Sequence, residues 1–321
     1  MSCQIISGKI YNPDACEVNI VYHCNLSCRG CSHLSPIVTN HFVEPLQVFN
    51  DLAIVAKYYS SRYIRILGGE PLLHPDIIQI IDAVRSSGIS KRIQVVTNGH
   101  LLTKMVNSFW KKVDEVSISI YPDKQINSEY LEEIESKARL HNVGLEYFYF
   151  DNFRESYSEL GTKDTNLVQR IYSTCKMAHT WHSHTIAEGY FYKCPQSFFL
   201  PNEINNDILK LGKNGIQITD STEFAENLLA YLNSPEALLS CYHCLGSVGK
   251  LFAHEQIPRS QWRSRQQHPT EELIDLDYLA ISESNPSANN SSYRSRSSLN
   301  KIIAWTQRFQ RTFAKRLNRG T

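Results

Sequence analysis

The chain has 321 residues, 42% of them apolar and 20% charged, with a formal net charge of +1. That length accommodates one large domain plus a smaller one, and the composition excludes a disordered chain. No run reaches the roughly 18–20 consecutive apolar residues that a bilayer span needs. The first 22 residues, MSCQIISGKIYNPDACEVNIVY, lack the basic start, long apolar core and cleavage site of a secretory signal. The expectation is therefore a cytoplasmic protein, whose nine cysteines point to metal ligation or catalysis before disulfides.

After an N-terminal extension (1–16), short β-like runs alternate with helical stretches. Strands are predicted at EVNIVY (17–22), YIRILGG (63–69), RIQVVTNG (92–99), VDEVSISIY (113–121) and GLEYFYF (144–150), with helices near 45–60, 76–87, 101–112 and 128–141. Such spacing fits parallel strands joined by crossover helices. With a sixth strand expected later, it gives a β/α barrel core over 17–174 whose chemistry sits at the C-terminal strand ends.

Cys24, Cys28 and Cys31, in CNLSCRGC, fall just after the first strand. Three soft thiolates on a tight loop suit an iron–sulfur cluster with one open iron. The same spacing admits a zinc site that borrows His23 or His33 as fourth ligand. His33 itself lies near that loop, as a pocket residue or a loop cap.

Two further motifs follow the next strands. GGEP (68–71) ends the second, its glycines permitting close backbone approach, and TNGHLL (97–102) ends the third. Ser119 sits at the end of the fourth. Tyr147, Tyr149, Asp151 and Asn152 lie on or just after the fifth, where alternation sends half the side chains away from any pocket.

Beyond residue 150 the rhythm breaks. SHTIAEGYFYKCP (183–195) reads as a β-hairpin turning at Glu188 and Gly189. TEFAENLLAYLNS (222–234) is helical, and CYHC follows. Cys175, Cys194, Cys241 and Cys244 then form a closed tetrathiolate set within a small module at 175–250, open by ligand chemistry alone to zinc or an iron–sulfur cluster. His179, His182 and His184 flank Cys175 as outer-sphere or surface groups. Cys3 and Cys16 remain as packing residues, Cys16 also being a conceivable hydrogen-atom donor.

A C-terminal extension (251–281) leads to a Ser/Asn-rich linker (282–298) and a basic amphipathic helix (299–319). The segment 294–319 carries eight basic residues and no acid, so against a total of +1 the rest of the chain is about −7. The helix is suited to a membrane surface or a protein partner, and no nucleic acid is expected.

CNLSCRGC, GGEP, TNGHLL and Ser119, in that order, resemble the radical S-adenosylmethionine (SAM) superfamily over about residues 17–250. The resemblance implies a partial (β/α)6 barrel and a SAM-coordinating 4Fe-4S cluster on Cys24, Cys28 and Cys31. It also implies SAM contacts through Gly68, Gly69, Glu70, Pro71 and Ser119. The later cysteines resemble the shortened SPASM module called twitch, which implies a second, auxiliary 4Fe-4S cluster on Cys175, Cys194, Cys241 and Cys244. Two positions depart from the family pattern: Gly30 replaces a frequent aromatic residue, and Tyr121 replaces a usual acid.

The implied activity is reductive SAM cleavage to a 5′-deoxyadenosyl radical, with an electron donor such as flavodoxin or ferredoxin. The radical takes hydrogen from a carbohydrate-like small molecule, which is oxidised or epimerised, or else from a peptide. Only 16 residues precede the first predicted strand, too few for a peptide-leader domain, which favours the small molecule. The contrasting expectation is a non-catalytic, zinc-stabilised binding scaffold.

Overall fold

The computed structural model describes residues 3–124, 126–204 and 214–284. In chain order the strands and principal helices are β1 (Gln4–Ile6), β2 (Lys9–Val21), α1 (Pro45–Tyr58), β3 (Tyr59–Gly68), α2 (Ile77–Ser87), β4 (Ile93–Thr97), α3 (Asn107–Lys112), β5 (Glu115–Ile120), α4 (Ser128–His141) and β6 (Gly144–Tyr149). There follow β7 (Asn152–Arg154), α5 (Thr165–Ser173), α6 (Lys176–His179), β8 (His184–Ala187), β9 (Tyr190–Tyr192), α7 (Pro195–Glu203), β10 (Gly215–Gln217), α8 (Thr222–Asn233) and β11 (Leu251–Ala253).

Local chemistry explains several boundaries. Pro45 opens α1, Gly88 in a left-handed conformation closes α2, and Asn127 caps α4 by accepting from Tyr130 N. The helix expected at 101–112 splits, because tertiary bonds hold its first part. Tyr130 Oη donates to the Gly99 carbonyl at 2.9 Å, and Lys137 Nζ to the Thr103 carbonyl at 2.6 Å. Only Asn107–Lys112 is α-helical there.

The main sheet runs β10-β9-β8-β2-β3-β4-β5-β6, with β1 on β2. From β8 through β6 all pairs are parallel, which is the α/β arrangement of a partial barrel. The sixth parallel strand is β8, on the outer side of β2, and does not follow the fifth in space. The hairpin of the C-terminal module therefore extends the barrel sheet through β8. Its turn residues Glu188 and Gly189 have φ of 50° and 77°, the twist-matched geometry of a two-residue hairpin. Tyr22 Oη donates to Glu188 at 3.0 Å, and Gly189 N to Asp51 at 3.0 Å, which pins that turn to the barrel.

The first strand is longer than expected: β2 starts at Lys9, so most of the predicted N-terminal extension is strand. Asn12-Pro13-Asp14 masks this in the sequence, and the register with β3 shifts there. At the other end β11 pairs with β7. The predicted linker start at 282–284 is the end of a helix, Leu276–Ser284. The remaining linker and the basic helix at 299–319 lie outside the described residues. No described helix is long and apolar enough to cross a membrane.

One continuous core joins barrel and hairpin. Phe191 of β9 is fully buried, its ring 5.1 Å from that of Tyr59. We expect Phe191→Ala to lower unfolding free energy by about 3–5 kcal/mol in anaerobic urea titrations. A loss under about 1 kcal/mol would place the hairpin outside the cooperative core.

Candidate active site

The cluster loop leaves the end of β2, where the backbone is crowded. A Cβ on Gly69 would lie 2.0 Å from the His23 carbonyl oxygen, and one on Gly68 2.1 Å from that of Val21. Gly69 N donates to the Val21 carbonyl at 2.7 Å and Glu70 N to that of His23 at 3.1 Å. Only glycine fits there.

A distant segment straps the loop from its other side. Arg29 N donates to the Glu255 carbonyl at 3.0 Å and Ile257 N to that of Ser27 at 3.1 Å. Trp262 Nε1 reaches the Cys28 carbonyl at 3.0 Å, and Arg259 reaches that of Cys24 at 2.6 Å. Arg29 pairs with Glu155 and Glu255 and stacks over the Phe252 ring, 4.1 Å from its centroid. This explains the first departure: Gly30 has φ of 70°, and a Cβ there would lie 2.7 Å from the Arg154 carbonyl and 2.8 Å from the Phe252 ring. The second departure, Tyr121, stacks on His254 with ring centroids 4.6 Å apart.

Cys24, Cys28 and Cys31 border a cavity of about 630 Å³ at the C-terminal strand ends. Gly68, Gly69, Thr97, Asn98, Ser119 and Tyr121 line its barrel side. Glu70 and Pro71 do not line it: Glu70 is fully buried behind the glycines. Its carboxylate accepts from Thr97 Oγ1 at 2.7 Å, Asn98 N at 2.9 Å and Leu72 N at 3.0 Å. Glu70 thus ties GGEP to TNG. Asn98, which the sequence did not single out, donates to Asn25 at 2.7 Å and to Cys24 Sγ at 3.8 Å. Of the candidates on or just after β6, Tyr149, Asp151 and Asn152 line the cavity and Tyr147 does not; Cys16 is sealed in the core.

The far wall comes from beyond residue 150: Arg154, Glu155, Ser156, Lys176, Gln196, Gly246, Ser247 and Tyr278. Lys176 Nζ donates to Tyr278 Oη at 2.9 Å. No local motif marks these residues, because loops distant in sequence bring them together. Nε2 of His33, Oγ of Ser35, Oγ of Ser156 and Oε1 of Gln196 are buried and find no hydrogen-bond partner among the described residues. All four residues line this cavity. Burial holds the His33 imidazole neutral, its pKa lowered to about 4.

Cys175, Cys194, Cys241 and Cys244 line a second, small cavity together with Lys193, Gln196 and Gly246. Cys175 precedes α6, Cys194 precedes α7, and Cys241 lies in the short 3-10 turn Leu239–Tyr242. Gly246 N donates to Cys244 Sγ at 3.3 Å. Burial raises all four thiol pKa values, that of Cys175 to about 12. Lys193, 1% exposed, presents its ammonium to Tyr172 Oη at 2.6 Å beside these sulfurs. Gln196 and Gly246 belong to both cavities, so the two share a wall.

A tetrahedral zinc with Zn–S of about 2.3 Å sets its sulfurs about 3.8 Å apart. Among the described residues, neither cysteine set brings three ligand atoms within 4.8 Å of one another, with or without His23 or His33. Thiol sets with backbone N–H groups donating to sulfur, as Leu26 N does to Cys24 at 3.4 Å and Gly246 N to Cys244, could hold polynuclear iron–sulfur groups. The first set offers three ligands and the second four.

The sequence comparison points the same way as the cysteine loop: residues 18–142 match the radical SAM superfamily. It is 30% identical over 103 residues to a GTP 3′,8-cyclase of Trichodesmium erythraeum, covering 30% of this chain and 31% of that one. A GTP 3′,8-cyclase of Heliobacterium modesticaldum is 29% identical over 107 residues, covering 32% and 33%. The chain thus spans about a third of the length of such relatives. Among solved structures, BtrN in complex with AdoMet and 2-DOIA aligns with a TM-score of 0.41 at 13% identity, covering 73% of this chain and 93% of that one. SuiB of Streptococcus suis bound to S-adenosylmethionine aligns with a TM-score of 0.37 at 12% identity, covering 70% and 67%.

Burial raises the Glu70 pKa to about 7. Its contribution to stability is therefore present below pH about 4.5 and lost as pH rises through 7. The stability of wild type relative to Glu70→Gln should fall by on the order of 3 kcal/mol across that window in urea titrations. Parallel pH profiles would contradict a buried carboxyl group of raised pKa.

Proposed function

We propose that this chain is a two-cluster radical SAM dehydrogenase acting on a hydroxyl-rich, carbohydrate-like small molecule. The observation that carries the reading is the wall shared by the two cavities at Gln196 and Gly246. A substrate in the larger cavity lies one residue's thickness from the tetrathiolate set.

SAM with a cluster held by Cys24, Cys28 and Cys31 would supply the chemistry that removes a carbinol hydrogen atom, and a cluster held by Cys175, Cys194, Cys241 and Cys244 would supply a one-electron acceptor. The electron that starts SAM cleavage comes from a small reductant of the flavodoxin or ferredoxin class. The substrate hydroxyl gives its proton to solvent, so a secondary alcohol leaves as a ketone, two electrons and two protons poorer.

The chain's own residues bind and orient. Gly68 and Gly69 let the backbone approach the cofactor's polar end, Glu70 fixes their geometry from behind, and Ser119 offers a hydroxyl from β5. The buried atoms of His33, Ser35, Ser156 and Gln196 need partners. Substrate hydroxyls supply them, and a site built this way rejects analogues that lack those groups. Lys193 places a buried positive charge beside the tetrathiolate set, which favours its taking an electron.

Carbinol-deuterated polyols, incubated anaerobically with reconstituted enzyme, SAM and dithionite, test this. Deuterium should enter 5′-deoxyadenosine, with one ketone formed per SAM cleaved. Gln196→Ala should lower kcat/KM at least tenfold, a loss of about 1.4 kcal/mol in transition-state binding. Deuterium transfer from labelled peptides and from no polyol would replace this reading with peptide modification. Transfer without ketone would point to epimerisation.

A further inference from the structure

We propose that Cys3, His182 and His184 form a mononuclear zinc site, separate from both cysteine-rich centres, that fastens the N-terminal strand to the hairpin carrying Cys194. One thiol and two imidazoles, from segments 179 positions apart, present ligand atoms that all lie within 4.8 Å of one another. Sequence alone leaves these residues as an inert thiol and outer-sphere histidines, because 179 positions separate Cys3 from His182.

The local structure converges on the site. His182 takes a left-handed conformation, φ 45°, just before β8, an uncommon state for a residue with a side chain. Its ring is thereby brought to 5.8 Å, centroid to centroid, from that of His184. Both histidines are buried, at 8% and 1% exposure.

His184 also has the support that metal-bound imidazoles carry. Its Nδ1 lies 2.8 Å from Tyr59 Oη, and Tyr59 in turn accepts from Asn12 Nδ2 at 2.9 Å. Asn12 reaches the His182 carbonyl as well, at 3.2 Å. Such a partner on one ring nitrogen fixes the tautomer and leaves the other nitrogen to the ion. Cys3 is held from outside: its N–H donates to Asn233 Oδ1 at 2.9 Å, and Asn233 Nδ2 returns a bond to the Cys3 carbonyl at 3.3 Å.

The chemistry selects the ion. One thiolate and two imidazoles suit zinc, with a fourth position left for water. The thiolate cancels one of the ion's two charges, which matters with the Lys193 ammonium buried nearby. Packing alone gives no reason for three ligating groups to meet where aliphatic side chains would be buried at lower cost.

The test adds zinc sulfate to cluster-reconstituted full-length protein, removes unbound metal by gel filtration, and measures zinc and iron together. Wild type should retain about one zinc per chain with iron unchanged. Cys3→Ser and His182→Gln should each retain at least tenfold less, with iron and the cluster spectrum unchanged. Zinc-edge X-ray absorption on wild type, independent of how the variants fold, should show one sulfur near 2.3 Å and nitrogens near 2.0–2.1 Å. No retained zinc in wild type, equal retention in the variants, or a four-sulfur zinc shell would overturn the proposal.

Discussion

The ends of β2 and β3 approach so closely that no side chain fits between them, and the rest of the site depends on that contact. Gly68 and Gly69 lie against the Val21 and His23 carbonyls, and the cluster loop starts at the next residue. Glu70, buried behind them, hands the same constraint to Thr97 and Asn98 at the end of β4. Asn98 then returns to the loop through Asn25. Three strand ends and one loop thus share one hydrogen-bonded unit.

The later part of the chain completes that unit and adds a second centre. The segment from β11 through Trp262 straps the cluster loop, and Phe252 fills the space that Gly30 leaves. The hairpin β8–β9 joins the barrel sheet at β2 and delivers Cys194 to the tetrathiolate set. Barrel and hairpin share one core that includes Cys244, while Cys175 and Cys241 pack in a small cluster of their own beside it; Gln196 and Gly246 wall both cavities.

The sequence made legible what short-range chemistry encodes. The thiol triad, GGEP, TNG and the Glu188-Gly189 turn each declare themselves within a few residues, and the parallel strands follow from their spacing. What it hid depends on contacts between distant segments. The start of β2 is masked by Asn12-Pro13-Asp14, and the pairing of β8 with β2 crosses more than 160 residues. The split of the 101–112 helix follows from bonds made by Tyr130 and Lys137. Glu70 read as a pocket carboxylate, whereas three donors hold it behind the pocket. The buried polar atoms of Ser156 and Gln196 have no sequence signature, since their meaning arises only when the cavity closes around them.

The proposed function requires two iron–sulfur centres, one on Cys24, Cys28 and Cys31 and one on Cys175, Cys194, Cys241 and Cys244. It is tested most directly by iron and sulfide analysis after anaerobic reconstitution of wild type and of Cys24→Ala/Cys28→Ala/Cys31→Ala, with dithionite-driven SAM cleavage assayed alongside. Wild type should hold about eight irons and the variant about four, with 5′-deoxyadenosine formed by wild type alone. Four irons in wild type and none in the variant would remove the second cluster, and zinc in both centres without SAM cleavage would contradict the account entirely.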